Sequence, residues 1–261
     1  MALITCRFFS ETLGMSTSMT VILPQKTASQ IGMEGRSGSG KFPTLYLLHG
    51  LSDDDTIWTR RTSIERYVAP LGLAVVMPNV HKSFYTDMEH GDAYWTFLSE
   101  ELPAVARSFF HLSDEREHNY VAGLSMGGYG AFKWALRHPD RFAAAASLSG
   151  ALDIAARIEK EKGTWIGRAT DLIFGNKDVR GTENDLFRLL EDARGVEGPK
   201  PALYQLCGTE DFLYEDNLSF KKACEESGYP DYAYEEGPGD HSWEYWDENI
   251  QKVLARFFPQ G

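Results

Sequence analysis

Residues 120–130, YVAGLSMGGYG, are the most informative stretch of this 261-residue chain. Residues 123–127 match the pattern G-x-S-x-G, with Ser125 at its centre. The bare pattern occurs by chance in about one chain in ten of this length, so its context decides its meaning. An apolar segment precedes it and a helical pattern follows, which predicts a strand, a sharp turn that exposes Ser125, and a helix. Gly123 and Gly127 fit this interpretation because side chains at those positions would clash in so tight a turn.

Short apolar segments recur on both sides of this stretch. Those at 44–48, 73–77 and 142–148 alternate little between apolar and polar residues, as strands buried on both faces of a parallel sheet do. Further strands are predicted at 4–10, 17–24, 120–124, 202–207 and 231–234, the first two as an antiparallel pair. Helical patterns lie at 56–67, at 92–110 with a kink at Pro103, and at 126–137, 217–227 and 243–258. The alternation predicts an α/β fold, an eight-stranded mostly parallel sheet with helices on both faces, in one domain spanning 1–261.

Residues 151–200 are longer than one connection between neighbouring strands needs. They contain two helical patterns, ALDIAARIEKEK and TENDLFRLLEDA. One interpretation is a small cap-like insertion that covers the functional site. The other is a set of ordinary surface helices, and the sequence favours neither.

A serine hydroxyl is a weak nucleophile until a base takes its proton. The sequence must therefore also supply a histidine that can act as this base. In folds with this elbow the chain order is serine, then acid, then histidine. Only His138 and His241 follow Ser125. His138 ends the helix that Ser125 begins, about three turns away, and cannot reach back. His241 remains as the candidate base, in the loop GPGDH after the last predicted strand.

The acid should follow the preceding strand. The segment after residue 207 offers four carboxylates, Glu210, Asp211, Glu215 and Asp216. Asp211 is preferred because a buried carboxylate facing histidine would lie beside the apolar residues at 212–213. On the residues alone, Glu210 stays open as the alternative. The acid's task is to fix the imidazole tautomer and to stabilise the imidazolium.

An acyl-transfer site also needs two amide donors for the oxyanion. One should be the amide of Met126, directly after the nucleophile. The other should come from the turn after the strand at 44–48, which reads HGL, and we assign it to Leu51. Serine, acid, histidine and these turns together indicate the α/β-hydrolase fold and acyl transfer that needs no metal or organic cofactor.

Composition limits the partners. The formal net charge is −12, which disfavours nucleic acid and anionic membrane surfaces and leaves a small-molecule substrate as the expected partner. Three cysteines without a CxxC pair are typical of reduced thiols, and residues 1–14 do not resemble a signal peptide. A cytoplasmic protein is therefore expected. A homo-oligomer is compatible with the sequence but not predicted by it.

These pieces together resemble the esterase D family, which includes S-formylglutathione hydrolases, and within it the bacterial tributyrin esterases. The blocks that carry the resemblance run over nearly the whole chain: LYLLHGLSDDDTIWTRRTSIERY, VVMPN, SFYTD, SEELPAVARSFF, VAGLSMGGYGAFKWAL, SLSGAL, CGTEDFLYEDN and GDHSWEYWD. The resemblance implies that nucleophile, acid and base are Ser125, Asp211 and His241, with Leu51 and Met126 as oxyanion donors. It also implies hydrolysis of short-chain acyl esters, sometimes of acetylated or feruloylated sugars.

Two departures bear on the substrate. S-formylglutathione hydrolases typically carry a cysteine soon after the oxyanion turn and a His-Ser-Met core at the nucleophile. Here the turn continues LSDDDTIW, and Leu124 precedes Ser125. These departures disfavour thioester specificity. The alternatives to a simple carboxylesterase are S-formylglutathione hydrolysis, hydrolysis of acetylated or feruloylated sugars, and acyl transfer to sugars. A catalytically silent scaffold is disfavoured, because strained elbow geometry would serve nothing without catalysis.

Three aromatic residues near the expected catalytic loops, Trp58, Tyr85 and Trp243, are candidates for lining the substrate pocket. For Trp58, core packing is the slightly favoured alternative. The acidic run at 53–55 lacks the ligand spacing of a calcium loop and is interpreted as a solvated loop, so no metal site is expected.

Overall fold

One eight-stranded sheet forms the centre of the computed structural model, which describes residues 1–195 and 197–259. Its strands are β1 (Ala2–Ser10), β2 (Met15–Leu23), β3 (Thr44–Leu48), β4 (Ala74–Pro78), β5 (Asn119–Leu124), β6 (Ala144–Leu148), β7 (Ala202–Gly208) and β8 (Tyr232–Gly237). Their spatial order is β1-β2-β4-β3-β5-β6-β7-β8. The pairs β1–β2 and β2–β4 are antiparallel, and all other neighbours are parallel. The mostly parallel α/β sheet predicted from the sequence is confirmed.

Helices cover both faces of the sheet. They are α1 (Ile57–Arg61), α2 (Ile64–Val68), α3 (Tyr94–Thr96), α4 (Leu102–Phe109), α5 (Met126–Arg137), α6 (Ile154–Lys160), α7 (Trp165–Phe174), α8 (Leu186–Gly195), α9 (Tyr214–Ser227) and α10 (Trp243–Phe257). The helices α1, α2 and α10 bury apolar side chains against one face, and α4, α5, α8 and α9 bury theirs against the other. Across residues 1–195 and 197–259, none of the helices has the length and apolar character needed to cross a membrane.

The covered faces explain the character of the central strands. Every residue of β3, β4 and β6 is buried, whereas β1 at the edge of the sheet is exposed at alternate positions. Strands covered on both faces must be apolar throughout, which is the pattern that predicted them.

The helix predicted at 92–110 is divided into three consecutive pieces. A turn of π-helix, Phe97–Glu101, separates α3 from α4. Pro103 has no N–H to donate to the carbonyl of Ser99, four residues earlier. That carbonyl accepts a hydrogen bond from Arg141 Nη1 at 2.5 Å instead. The irregular turn therefore lies just before the proline at which the kink was predicted.

The prediction of a single helix at 56–67 is wrong, because two short helices, α1 and α2, form in this segment. Thr62 lies between them in an extended conformation, with φ −133° and ψ 173°. Its hydroxyl donates to the Trp58 carbonyl at 2.6 Å and accepts from the Ile64 amide at 3.1 Å. A threonine side chain that takes these backbone partners competes with the helix's own hydrogen bonds, which ends α1.

The long connection at 151–200 has two parts. Helix α8 buries Leu186, Leu189 and Leu190 and packs in the layer of α5 and α9. Helices α6 and α7 lie before it and contribute residues to a cavity at the carboxyl ends of the strands.

Candidate active site

Ser125 lies in a strained turn between β5 and α5. Its φ of 53° and ψ of −117° are unusual for a residue with a side chain. A Cβ on Gly123 would lie 2.4 Å from the carbonyl carbon of Gly127, and one on Gly127 would lie 2.5 Å from the carbonyl oxygen of Leu48. Both positions therefore require glycine, and the strain they allow lifts the serine hydroxyl out of the helix.

The structure brings Ser125, His241 and Asp211 together, although distant segments carry them. The strands β5, β7 and β8 run parallel, with β6 between β5 and β7, so the loops after them lie at the same edge of the sheet. His241 Nε2 lies 3.0 Å from Ser125 Oγ. On the other side of the ring, Nδ1 lies 2.8 Å and 3.0 Å from the two carboxylate oxygens of Asp211. Since a carboxylate can only accept, Nδ1 carries the proton and Nε2 is free to accept the serine proton.

Two neighbouring carboxylates in the loop after β7 have different partners. The side chain of Asp211 is fully buried and also accepts from the Leu213 amide at 2.8 Å. Glu210 is exposed, and its Oε2 accepts from the amide of Gly239 at 2.6 Å. That bond lowers the pKa of Glu210 and ties the loop after β7 to the loop that carries His241. Sequence reasoning did not find this second task for Glu210, because the bond joins two loops that are far apart in the chain.

The turn after β3 lies beside the serine. A Cβ on Gly50 would be 3.8 Å from the Cβ of Ser125, so the backbone of Gly50 lies beside the Ser125 side chain. Met126 begins α5, and the amides of the first residues of a helix have no partner within the helix. In the described chain, neither the Leu51 nor the Met126 amide donates to another backbone carbonyl. The two amides predicted as oxyanion donors therefore remain available.

Ser125 and His241 open onto a cavity of about 370 Å³. Its wall is mainly apolar and aromatic, and it comes from the loops after the strands together with α6, α7 and the start of α10. The lining side chains other than those two are Leu51, Ser52, Asp53, Phe84, Leu124, Ala151, Ile154, Arg157, Trp165, Ile166, Thr170, Phe212, Leu213, Trp243 and Trp246.

Of the three aromatic residues proposed to line the pocket, the cavity contains only Trp243. Trp58 is buried behind it, with ring centroids 5.3 Å apart, and its indole N–H donates to the Leu48 carbonyl at 3.1 Å. Tyr85 is also buried, and its hydroxyl donates to the His49 carbonyl at 2.8 Å. These two candidates for lining the pocket instead lie behind the cavity wall, as the favoured alternative of core packing had it for Trp58. Trp58 holds the end of β3, and Tyr85 holds the turn after it. Their polar atoms bind backbone carbonyls that only the folded chain brings near.

The chain is similar to known esterases over nearly its whole length. A family described as "Putative esterase" matches residues 10–257. An acetyl esterase from Caldicellulosiruptor saccharolyticus is 30% identical over 260 residues, covering 97% of each protein. The substrate-bound structure of the Staphylococcus aureus fluorophosphonate-binding serine hydrolase FphF is 39% identical, covers 99% of each chain and superposes with a TM-score of 0.88. The apoenzyme of the Staphylococcus aureus S-formylglutathione hydrolase FrmB is 39% identical, covers 98% of each chain and gives a TM-score of 0.85.

The chain belongs to this esterase family. The esterase is a carboxylic ester hydrolase with the α/β-hydrolase fold, as its sequence motifs and its resemblance to the esterase D family predicted. The match spans the whole of the sheet from β2 onward.

One buried cation of the esterase's cavity was missed by sequence reasoning. Arg157 is only 7% exposed and stands in α6, in a stretch that resembles an ordinary charged surface helix. Its Nη2 lies 2.7 Å from Glu161 Oε1, and its Nε lies 3.9 Å from Asp216 Oδ2. Its guanidinium carbon lies 5.4 Å from the centre of the Phe212 ring, which in turn lies 4.4 Å from the ring centre of His241. The cavity wall thus contains a buried cation with two carboxylates beside it.

The acidic run at 53–55 is less solvated than predicted. Asp55 is buried and accepts hydrogen bonds from Ser18 and Thr20 of β2, each at 2.8 Å. Asp53 is half-buried on the cavity wall, and burial raises its pKa. Among the residues that the structure describes, no three His, Cys, Asp or Glu side chains are grouped so that they could hold a metal ion.

Proposed function

We propose that the esterase cleaves short-chain acyl esters with Ser125 as nucleophile, His241 as general base and Asp211 as the acid that holds the imidazole. The observation that carries the proposal is the hydrogen-bonded chain from Asp211 through His241 to Ser125, with 3.0 Å between Nε2 and Oγ. This chain of hydrogen bonds ends at a strained serine on the wall of a cavity, which is the arrangement that nucleophilic acyl transfer needs.

The reaction follows from the geometry. His241 Nε2 accepts the hydroxyl proton while Ser125 Oγ attacks the ester carbonyl, and the oxyanion accepts hydrogen bonds from the Leu51 and Met126 amides. His241 then protonates the leaving alcohol, and an acyl-enzyme remains. A water molecule gives its proton to His241 as it attacks the acyl carbonyl, and Ser125 recovers that proton as the acid leaves. These steps use protein groups and water, so no cofactor enters.

The cavity favours small acyl groups. Its volume of about 370 Å³ is near the lower end of the range for ligand sites, and its wall is mainly apolar. Acetyl to butyryl esters, including tributyrin, match this size and polarity. The name of the acetyl esterase from Caldicellulosiruptor saccharolyticus supports the same class.

Helices α6 and α7 act in this proposal as a small cap within a single domain. Ile154 and Arg157 from α6 and Trp165, Ile166 and Thr170 from α7 lie on the cavity wall. The cap would set the depth of the acyl site.

Hydrolysis of S-formylglutathione is the second candidate, supported by the 39% identity to the Staphylococcus aureus FrmB structure. The two candidates differ in the leaving group, a thiol or an alcohol. We expect kcat/KM for p-nitrophenyl acetate and butyrate to exceed kcat/KM for S-formylglutathione. The opposite order would favour the thioester as substrate. The kcat/KM values for acetylated and feruloylated sugars, measured in the same way, would show whether sugar esters are better substrates than either.

The nucleophile is tested with Ser125→Ala. We expect this variant to lose activity on p-nitrophenyl butyrate and labelling by a fluorophosphonate probe, while it melts like the wild-type protein. Ser219→Ala, an exposed serine in α9, is the control and should keep both. An active Ser125→Ala variant would refute the assignment, and a wild-type chain without labelling or activity would indicate a silent scaffold.

The cytoplasmic location stays a prediction, and the sequence leaves the oligomeric state open. Both are tested on the full chain, the first by cell fractionation and the second by light scattering.

A further inference from the structure

The imidazole of His49 lies buried between two backbone groups. Its Nε2 is 3.1 Å from the amide nitrogen of Val80, and its Nδ1 is 2.7 Å from the carbonyl oxygen of Gly50. The Val80 amide can only donate, so Nε2 is the acceptor and Nδ1 carries the proton that is donated to Gly50. Burial lowers the pKa of His49 to about 4, so the ring is neutral and keeps this single donor at neutral pH.

This bond fixes the direction of the Gly50–Leu51 peptide. In a planar trans peptide the carbonyl and the following N–H point in opposite directions. The Gly50 carbonyl faces the imidazole and also accepts from the Asp53 amide at 3.2 Å. The Leu51 amide must therefore face the other side, where Leu51 lines the cavity beside Ser125.

The peptide before it is held as well. The hydroxyl of Tyr85 donates to the carbonyl of His49 at 2.8 Å. Two successive carbonyls of the turn after β3 are thus each bound by a buried side chain, one by Tyr85 and one by His49.

Tyr85 itself is fastened to α5, the helix that begins after Ser125. A Cβ on Gly130 would lie 2.5 Å from the Tyr85 ring, so the ring packs directly on the helix backbone. Lys133, also in α5, donates from Nζ to the Tyr85 carbonyl at 2.9 Å. Met126 is the first residue of the same helix. Helix α5 therefore positions both amides of the proposed oxyanion site. Met126 belongs to the helix, and the turn that carries Leu51 is bound to it through Tyr85.

We infer that His49 and Tyr85 are positioning residues that hold the Leu51 amide toward the oxyanion. The inference rests on the proposed function, in which Leu51 supplies one of the two oxyanion donors. Neither side chain touches the substrate. Loss of either bond allows the turn to rotate its peptides, and the amide then spends less time in the catalytic direction.

The first test is Tyr85→Phe, which removes one hydroxyl and keeps the ring that packs on Gly130. An oxyanion donor is worth about 10²- to 10³-fold in kcat, so its partial misplacement should lower kcat by about 10-fold. KM for p-nitrophenyl butyrate should stay within about twofold, because the ground state does not use the oxyanion site. Affinity for a trifluoromethyl ketone, which forms a tetrahedral adduct, should fall in parallel with kcat/KM.

Tyr229→Phe is the matched control. The Tyr229 hydroxyl is buried and donates to the carbonyl of Pro201 at 2.9 Å, away from the cavity. The Tyr229→Phe variant loses the same kind of hydrogen bond as Tyr85→Phe. Its loss of thermal stability should therefore be comparable, while its kcat should stay at the wild-type value. Equal kcat in Tyr85→Phe and Tyr229→Phe would overturn the inference.

The second test separates the two roles of the imidazole. The amide group of His49→Asn can place a donor near the position of Nδ1, whereas the amide of His49→Gln reaches the position of Nε2. We expect the Asn variant to keep a kcat at least about fivefold above that of the Gln variant, since only it can still donate to Gly50. A Gln variant as active as the Asn variant would contradict the inference. Retained activity of Ser125→Ala would instead contradict the proposed function, so the two failures are distinguishable.

Discussion

At the scale of single residues, the loop after β7 shows how two adjacent carboxylates acquire separate tasks. Asp211 turns inward to the imidazole, and Glu210 turns outward to the amide of Gly239. Successive side chains in a turn point in different directions, so only one of the two can face His241. From the residues alone, either carboxylate could be the acid, because the local sequence does not show which of the two side chains points into the interior.

Replacement of each carboxylate by its amide separates these tasks. Asp211→Asn keeps the shape but removes the charge that stabilises the imidazolium and sets the tautomer, so we expect kcat to fall by about 10⁴-fold. Glu210→Gln keeps an oxygen that can accept from Gly239, so its kcat should stay within about threefold of wild type. Both are measured as kcat on p-nitrophenyl butyrate, with melting curves as the check on folding. An equal loss in the two variants would mean that the acid has been misassigned.

At the scale of elements, α6 and α9 meet across a buried ion pair. Asp216 stands in the first turn of α9, where its Oδ2 lies 3.9 Å from Nε of Arg157 in α6. Burial raises the pKa of Asp216 to about 6, and the nearby Arg157 offsets only part of this effect. The ionised carboxylate is therefore less stable in the folded chain than in the unfolded one.

This gives stability a pH dependence with a definite sign. The folded chain binds the Asp216 proton more tightly than the unfolded chain, so this residue's contribution to stability falls as pH rises from about 4 to about 6 and is then constant. Asp216→Asn removes the cost of ionisation. We expect its free energy of unfolding to exceed that of wild type by about 1–2 kcal/mol at pH 7.5 and to match it at pH 4. Urea denaturation at the two pH values measures the difference, and an equal change at both would show that ionisation is not the cause.

At the scale of the whole molecule, sheet topology assembles the site and the inserted helices shape it. The loops after β3, β5, β7 and β8 converge because these strands are parallel, so their carboxyl ends share one edge of the sheet. Helices α6 and α7 then add Ile154 and Ile166 to the wall of the cavity that Ser125 also lines. In the proposed function, the chemistry and the acyl selectivity thus reside on different parts of the chain.

Selectivity should respond to α6 without loss of chemistry. Ile154→Ala enlarges the cavity, so we expect the ratio of kcat/KM for p-nitrophenyl hexanoate to that for acetate to rise by about 10-fold. Ile158→Ala, on the same helix but outside the cavity, is the matched control and should leave the ratio unchanged. An unchanged ratio in Ile154→Ala would argue against α6 as part of the acyl site.

Local sequence patterns were enough to predict where the strands lie along the chain, the helix at 126–137, and Ser125 and His241 as candidate nucleophile and base. These follow from local periodicity, from the steric demands of one tight turn, and from the order in which a hydrolase carries its groups. The folded chain was needed to show that Trp58 holds the end of β3 and Tyr85 the turn after it, that Arg157 is buried on the cavity wall, and that α1 and α2 are separate helices. Each of those outcomes depends on what packs against a residue from far along the chain, and that information is absent from any local pattern.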